Sequence, residues 1–89
     1  MNDHLLTGAQ HEIAYKSREQ IEEETAWKWA ARAVASYQEF RRSNFHRWLM
    51  DAADYAHEAI EHGALADYDG AVLRAVRNWM ARYIPTDAF

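Results

Sequence analysis

The scarcity of glycine and proline constrains this chain more than any other feature. The sequence contains three glycines and one proline, and neither residue type occurs between Gly8 and Gly63. Alanine, glutamate, arginine, glutamine, tryptophan and leucine dominate that interval, and most of these residues favour helices. An alternation of apolar and polar residues, which marks a half-buried strand, is not sustained anywhere. The sequence therefore predicts an all-α protein.

The first predicted helix is long and covers about residues 8–41. Thr7 and Gln10 have the spacing of a capping box, which marks a helix start. No glycine or proline follows before residues 41–44, where Ser43 and Asn44 offer the chain a place to turn. One uninterrupted helix from Thr7 to His62 is the alternative, because no strong helix breaker enforces that turn.

The second predicted helix covers about 44–62 and the third about 69–84, which completes a three-helix bundle-like arrangement. Ser43 or Asn44 can cap the second helix, and Gly63 can end it in the left-handed conformation. Either Asp67 or Asp69 can cap the third. Pro85 stops the third helix. The apolar face of the second helix is Phe45, Trp48, Leu49, Ala52, Ala56, Ala59 and Ile60, and that of the third is Val72, Leu73, Val76, Trp79, Met80 and Tyr83.

Length and charge restrict the classes of protein that this chain can belong to. Its 89 residues fit one helical domain over 1–89, with 1–7 and 85–89 as loose termini. The net charge of −4 argues against nucleic acid or an anionic membrane as the main partner. The absence of cysteine excludes disulfides, thiolate zinc sites and a cysteine nucleophile. No apolar stretch is long enough to cross a membrane, and the first residues do not read as a signal peptide, so we expect a cytoplasmic protein.

The tryptophans and the length of the first helix together predict a homodimer. That helix would be about 50 Å long, and the two shorter helices can cover only its second half. Ile13 and Ile21 would then lie exposed on the first half, for which a second copy is the simplest cover. Trp27 and Trp29 point about 200° apart, so one of them is predicted to reach an interface. A monomeric three-helix bundle with frayed residues 1–20 is the alternative.

Trp48 and Trp79 lie on the apolar faces of the second and third helices. We therefore predict that both are core residues.

A histidine-containing segment of the second helix is the candidate metal site. Asp54 and His57 have the spacing of the carboxylate–histidine element found in di-iron helical bundles, and Glu61 and His62 follow. Glu22, Glu23 and Glu24 could supply further carboxylates from the first helix. Asp54 and His57, however, point away from the apolar face, whereas metal ligands in bundles project inward. The sequence therefore predicts a solvated face, with no metal and no cofactor.

Three arginines near the predicted turn form the candidate phosphate or nucleic-acid site. Arg41, Arg42 and Arg47 are interleaved with aromatic residues, and this combination suits phosphates and unpaired bases. Arginines at a helix end also favour the helix dipole for purely structural reasons.

These observations favour a small helical protein–protein interaction or structural module that acts as a homodimer or on another protein. We do not expect an enzyme, because no serine lies in a glycine-flanked turn and no phosphate-binding loop is present. A small nucleic-acid-associated or regulatory protein is the first alternative. A ferritin-like metal binder assembled across a dimer is the second.

Overall fold

The computed structural model describes residues 16–88 and confirms an all-α fold of three helices. Helix α1 covers Arg18–Ser43, α2 covers His46–Ala66 and α3 covers Ala71–Ala81. A short 3-10 helix, Thr86–Ala88, follows. Within residues 16–88 the chain forms no strand.

Helix α1 begins ten residues later than the sequence predicts. Ser17 has an extended backbone, and its hydroxyl accepts a hydrogen bond from the Gln20 amide at 3.1 Å. The Gln20 side chain accepts one in return from the Ser17 amide at 2.9 Å, which completes a capping box. The start predicted near residue 8 is therefore corrected to Arg18. Thr7, Gln10 and residues 8–15 lie outside the described range.

The chain turns between Ser43 and Phe45, so the alternative of one uninterrupted helix is wrong. Asn44 adopts the left-handed conformation, with φ 59°, and its amide donates to the Phe40 carbonyl at 2.7 Å. The Ser43 hydroxyl donates to the Glu39 carbonyl and accepts from the Phe45 amide. Asn44 therefore closes α1 rather than opening α2. Phe45, without a side-chain cap, precedes α2, which corrects the predicted capping by Ser43 or Asn44.

The surfaces with which α1 and α2 face each other consist mainly of alanine. The buried positions of α2 alternate in steps of four and three residues, as in a coiled coil, and Ala26, Ala30, Ala33 and Tyr37 follow the same pattern on α1, where Val34 and Ser36 are also buried. Such small side chains allow helix axes to approach toward the lower end of the usual ~8–10 Å. We call this set the alanine seam: Ala26, Ala30, Ala33, Ala52, Ala56, Ala59, Gly63 and Ala66.

Gly63 belongs to this seam and does not end α2 as predicted. The helix continues to Ala66, and Gly63 is buried where α3 crosses it. A Cβ atom placed on Gly63 would lie 3.4 Å from the Leu73 Cα atom. This is an ordinary van der Waals distance, so the α3 backbone lies in contact range of Gly63.

The predicted caps of α3 are also corrected. Asp67 accepts a hydrogen bond from the Asp69 amide at 2.9 Å within the preceding turn. Gly70, with φ 84°, precedes α3 without a side-chain cap.

Helix α3 packs on only part of the α1–α2 hairpin. Val76, Met80 and Ile84 are buried against the hairpin, and Ala88 of the 3-10 helix packs on the same core. Eleven residues of α3 extend about 17 Å, against about 32 Å for the 21 residues of α2. We call residues 18–33 and 56–66 the covered half of the hairpin, and residues 34–55, which include the turn, the open half.

Candidate functional site

Trp27 and Trp29 lie half-buried on opposite sides of the alanine seam. The Trp27 ring packs edge-on against Trp79 of α3, with 5.9 Å between centroids. The Trp29 ring packs against Tyr55 of α2 at 5.4 Å, and the Arg32 guanidinium lies 5.2 Å from its centroid. Each tryptophan therefore has its own intramolecular neighbour, and neither is freely exposed.

Beside Trp27, a shallow depression of about 690 Å³ lies on the outer side of the hairpin, and the described residues that line it all belong to α1. Ile21, a predicted interface residue, lies six residues before Trp27 on α1, with 52% of its surface exposed. Ile13, the other predicted apolar contact, lies outside the described residues. The side chains that line the depression are Gln20, Glu23, Glu24, Trp27, Lys28 and Ala31.

Trp48 is exposed, which corrects its predicted place in the core. Its exposed fraction is 36%, and that of Phe45 three residues earlier is 63%. Both belong to the open half, where α3 does not reach. The sequence predicts Phe45, Trp48 and Leu49 on the apolar face of the second helix, but only Leu49 of the three packs on the core.

His62 forms a contact that its position in the sequence does not reveal. Its Nδ1 atom lies 2.6 Å from Oε1 of Glu22 on α1, and its Nε2 atom lies 3.6 Å from Oε1 of Glu58. In the tautomer that carries its proton on Nδ1, His62 donates a hydrogen bond to Glu22. Glu22 and His62 are 40 residues apart, so only the hairpin brings them together. This cluster joins α1 to α2 on the Tyr55 side of the hairpin.

The remaining metal candidates do not converge. Asp54, His57 and Glu61 are exposed, and the first two line a shallow depression of about 530 Å³ beside Trp29. Across residues 16–88, no group of three or more histidine and carboxylate side chains is arranged to hold a metal ion.

The three arginines of the predicted phosphate site are all exposed around the turn. Arg42 is engaged by Glu39, one turn earlier on α1. The hydrogen bond to Glu39, followed by the charge of that carboxylate, raises the pKa of the Arg42 guanidinium. Arg41 and Arg47 have no carboxylate within ion-pair distance in the described part of the chain.

No protein-family model, curated protein or solved structure matches this chain. No helix among the described residues is long and apolar enough to cross a membrane.

Proposed function

We propose that this chain is a small helical interaction module that acts as a homodimer through the outer face of α1. The observation that carries the proposal is the depression beside Trp27, whose lining residues, among those the structure describes, all belong to α1. Its lining residues recur at intervals of three and four, the spacing with which one helix contacts another. A partner helix placed along it would supply the missing wall.

The chemistry of this face suits a second copy of the same chain. Glu23, Glu24 and Lys28 place both signs of charge along one stripe, and a face of mixed sign does not repel its own copy as a face of one sign does. Exposed Ala31 lets a second helix approach closely, while Ile21 adds apolar area at the side. A two-fold dimer would bring the same face of each copy together.

Because α1 begins at Arg18, the feature that supports a dimer is no longer the length of the first helix. The dimer predicted from the sequence depends on a long first helix that projects beyond the other two. With 26 residues, α1 is about 39 Å long, and α2 covers most of it. Support now comes from the outer face of α1 rather than from a projecting end. The metal-binding alternative has no such support within residues 16–88.

Light scattering on a size-exclusion column tests the proposal. We expect the full chain to have about twice its mass of 10.4 kDa, and Ile21→Glu combined with Ala31→Glu to produce the monomer. Both positions are exposed, so circular dichroism should show an intact fold. Leu65→Glu, at a 59% exposed position on α2, is the matched control and should leave the dimer intact. A monomer for the unmodified chain at all concentrations would contradict the proposal.

A further inference from the structure

The turn between α1 and α2 carries a charge opposite to that of the rest of the chain. Residues 40–50 contain three arginines and no aspartate or glutamate. All fourteen acidic residues lie outside this segment, together with seven of the ten lysines and arginines. The tip of the hairpin is thus a local cationic site on an acidic molecule. We call residues 40–50 the basic tip.

Aromatic side chains are exposed at the same place. Phe45 is 63% exposed and Trp48 is 36% exposed, and they lie three residues apart at the start of α2. Residues at this spacing neighbour each other on a helix surface. Arg41 precedes them and Arg47 lies between them, both without a carboxylate partner in residues 16–88. Free guanidinium groups therefore flank two accessible aromatic side chains.

We propose that the basic tip binds single-stranded nucleic acid. Proteins that bind single strands combine cationic side chains, which pair with phosphates, with aromatic rings on which bases stack. Phe45 and Trp48 supply the rings, while Arg41 and Arg47 supply the cations. Duplex recognition is not supported, because the described helices present no continuous row of basic residues that would follow a phosphate backbone.

A lipid surface suits the basic tip less well than a nucleic acid. The apex of the turn is Ser43 and Asn44, two polar residues that insertion would have to dehydrate before the aromatic rings reached the hydrocarbon. A single strand makes no such demand, since its phosphates and bases can contact the tip from the side while the apex stays in water. The net negative charge of the rest of the chain repels phosphates beyond the tip, so the contact covers only a few nucleotides.

The salt dependence of binding follows from the number of arginines. Two or three phosphate contacts on a single strand give a slope of about −1.4 to −2.1 in the logarithm of the binding constant against the logarithm of salt concentration. Fluorescence anisotropy of a labelled oligothymidine of about ten nucleotides measures both this slope and the affinity at low salt. We expect binding that disappears as salt is raised toward physiological concentration.

Two sets of variants test which residues bind. Combining Arg41→Glu with Arg47→Glu should abolish binding, whereas Arg77→Glu with Arg82→Glu, the same charge change on and just after α3, should weaken it only slightly. Phe45→Ala should weaken binding about tenfold, a loss that corresponds to one stacked base. Since Phe45 is exposed and makes no side-chain cap, this variant should keep the fold, which circular dichroism checks.

Three results would overturn the proposal. One is the absence of any anisotropy change at low salt, and another is equal loss of binding in the Arg77/Arg82 control. The third is binding to vesicles of anionic phospholipid, or to an acidic peptide, without binding to the oligonucleotide, because the tip would then serve a different partner. The light-scattering result for Ile21→Glu and Ala31→Glu is independent of all three, since those residues lie away from the tip.

Discussion

The covered half and the open half of the hairpin share one alanine seam but differ in what lies beside it. In the covered half, α3 adds Val76, Met80 and Trp79, so large side chains are enclosed between three helices. In the open half, the seam continues through Ala52 without a third helix, and Phe45 and Met50 stay exposed. The comparison separates two roles: alanine sets how closely two helices approach, while the third helix adds large buried side chains of its own. In the open half Val34 and Tyr37 are buried, but the apolar side chains near the turn stay exposed.

This difference has a functional consequence. A chain of this size buries relatively little surface, so the side chains enclosed by α3 supply much of its stability. The open half contributes less to folding and is therefore freer to carry residues that a partner would contact. The basic tip belongs to the open half, whereas the outer face of α1 belongs to the covered half but consists mainly of residues that stay exposed there.

The same methionine-to-alanine substitution placed in each half should give the largest difference in the free energy of unfolding. Met80→Ala in the covered half should lower the free energy of unfolding by about 2–4 kcal/mol, because it leaves a cavity between α3 and the hairpin. Met50→Ala in the open half should change it by less than about 0.5 kcal/mol, because Met50 is 62% exposed. Urea unfolding followed by circular dichroism measures both values. Equal losses would show that the open half is as tightly packed as the covered half.

Enlarging a residue of the seam should have the next largest effect. Ala30 is fully buried between the helices, so Ala30→Leu forces them apart and should cost about 1–3 kcal/mol. Ala35 lies exposed on the same helix, and Ala35→Leu changes helix propensity by nearly the same small amount. Thermal unfolding of the two variants isolates the effect of packing. If Ala30→Leu were as stable as Ala35→Leu, close approach along the seam would be wrong.

The smallest expected change in stability tests where α1 begins. Whether stability falls or rises distinguishes the two possible starts. Ser17→Ala removes the capping box of α1 and should lower stability by about 1 kcal/mol. If instead the helix began near residue 8, position 17 would be helix interior and alanine would stabilise it, since alanine has the higher helix propensity. Chemical denaturation of this single variant therefore distinguishes the two starts. Gln20→Ala should show part of the same loss.

Much of this fold was accessible from the sequence because its helices are strongly patterned. The lack of breakers before Gly63 and the apolar face of the third helix predict the fold class and the three helices of residues 16–88. The start of α1 has a signal of its own, since Ser17 and Gln20 repeat the spacing of Thr7 and Gln10. A local capping signal does not say at which of two such sites a given helix begins.

Other features depend on contacts between distant residues, and local patterns cannot reveal them. Gly63 carries the usual signal of a helix end, but it is buried inside α2 in contact range of Leu73. The contact between Glu22 and His62 arises from the register of the hairpin, which helical spacing does not determine. Helical spacing predicts Trp48 on the apolar face of α2, yet it is exposed, because burial depends on which distant residues pack over a position.

The candidate interaction residues also divide into those that the sequence reveals and those that only the structure reveals. The arginines near the turn were identifiable from composition, whereas the role of Phe45 beside them required its exposure. The depression along α1 required knowledge of which α1 residues stay exposed beside the other helices.

The turn at Asn44 also affects the entropy of any association at the basic tip. Only Asn44 and Phe45 separate the two helices, and the amides of both residues are already hydrogen bonded, to the Phe40 carbonyl and the Ser43 hydroxyl. A flexible loop must lose backbone freedom when it binds, which weakens its affinity. Here that loss has already occurred during folding. Binding at the tip would have to restrain only side chains, so even a small contact could retain most of its interaction energy.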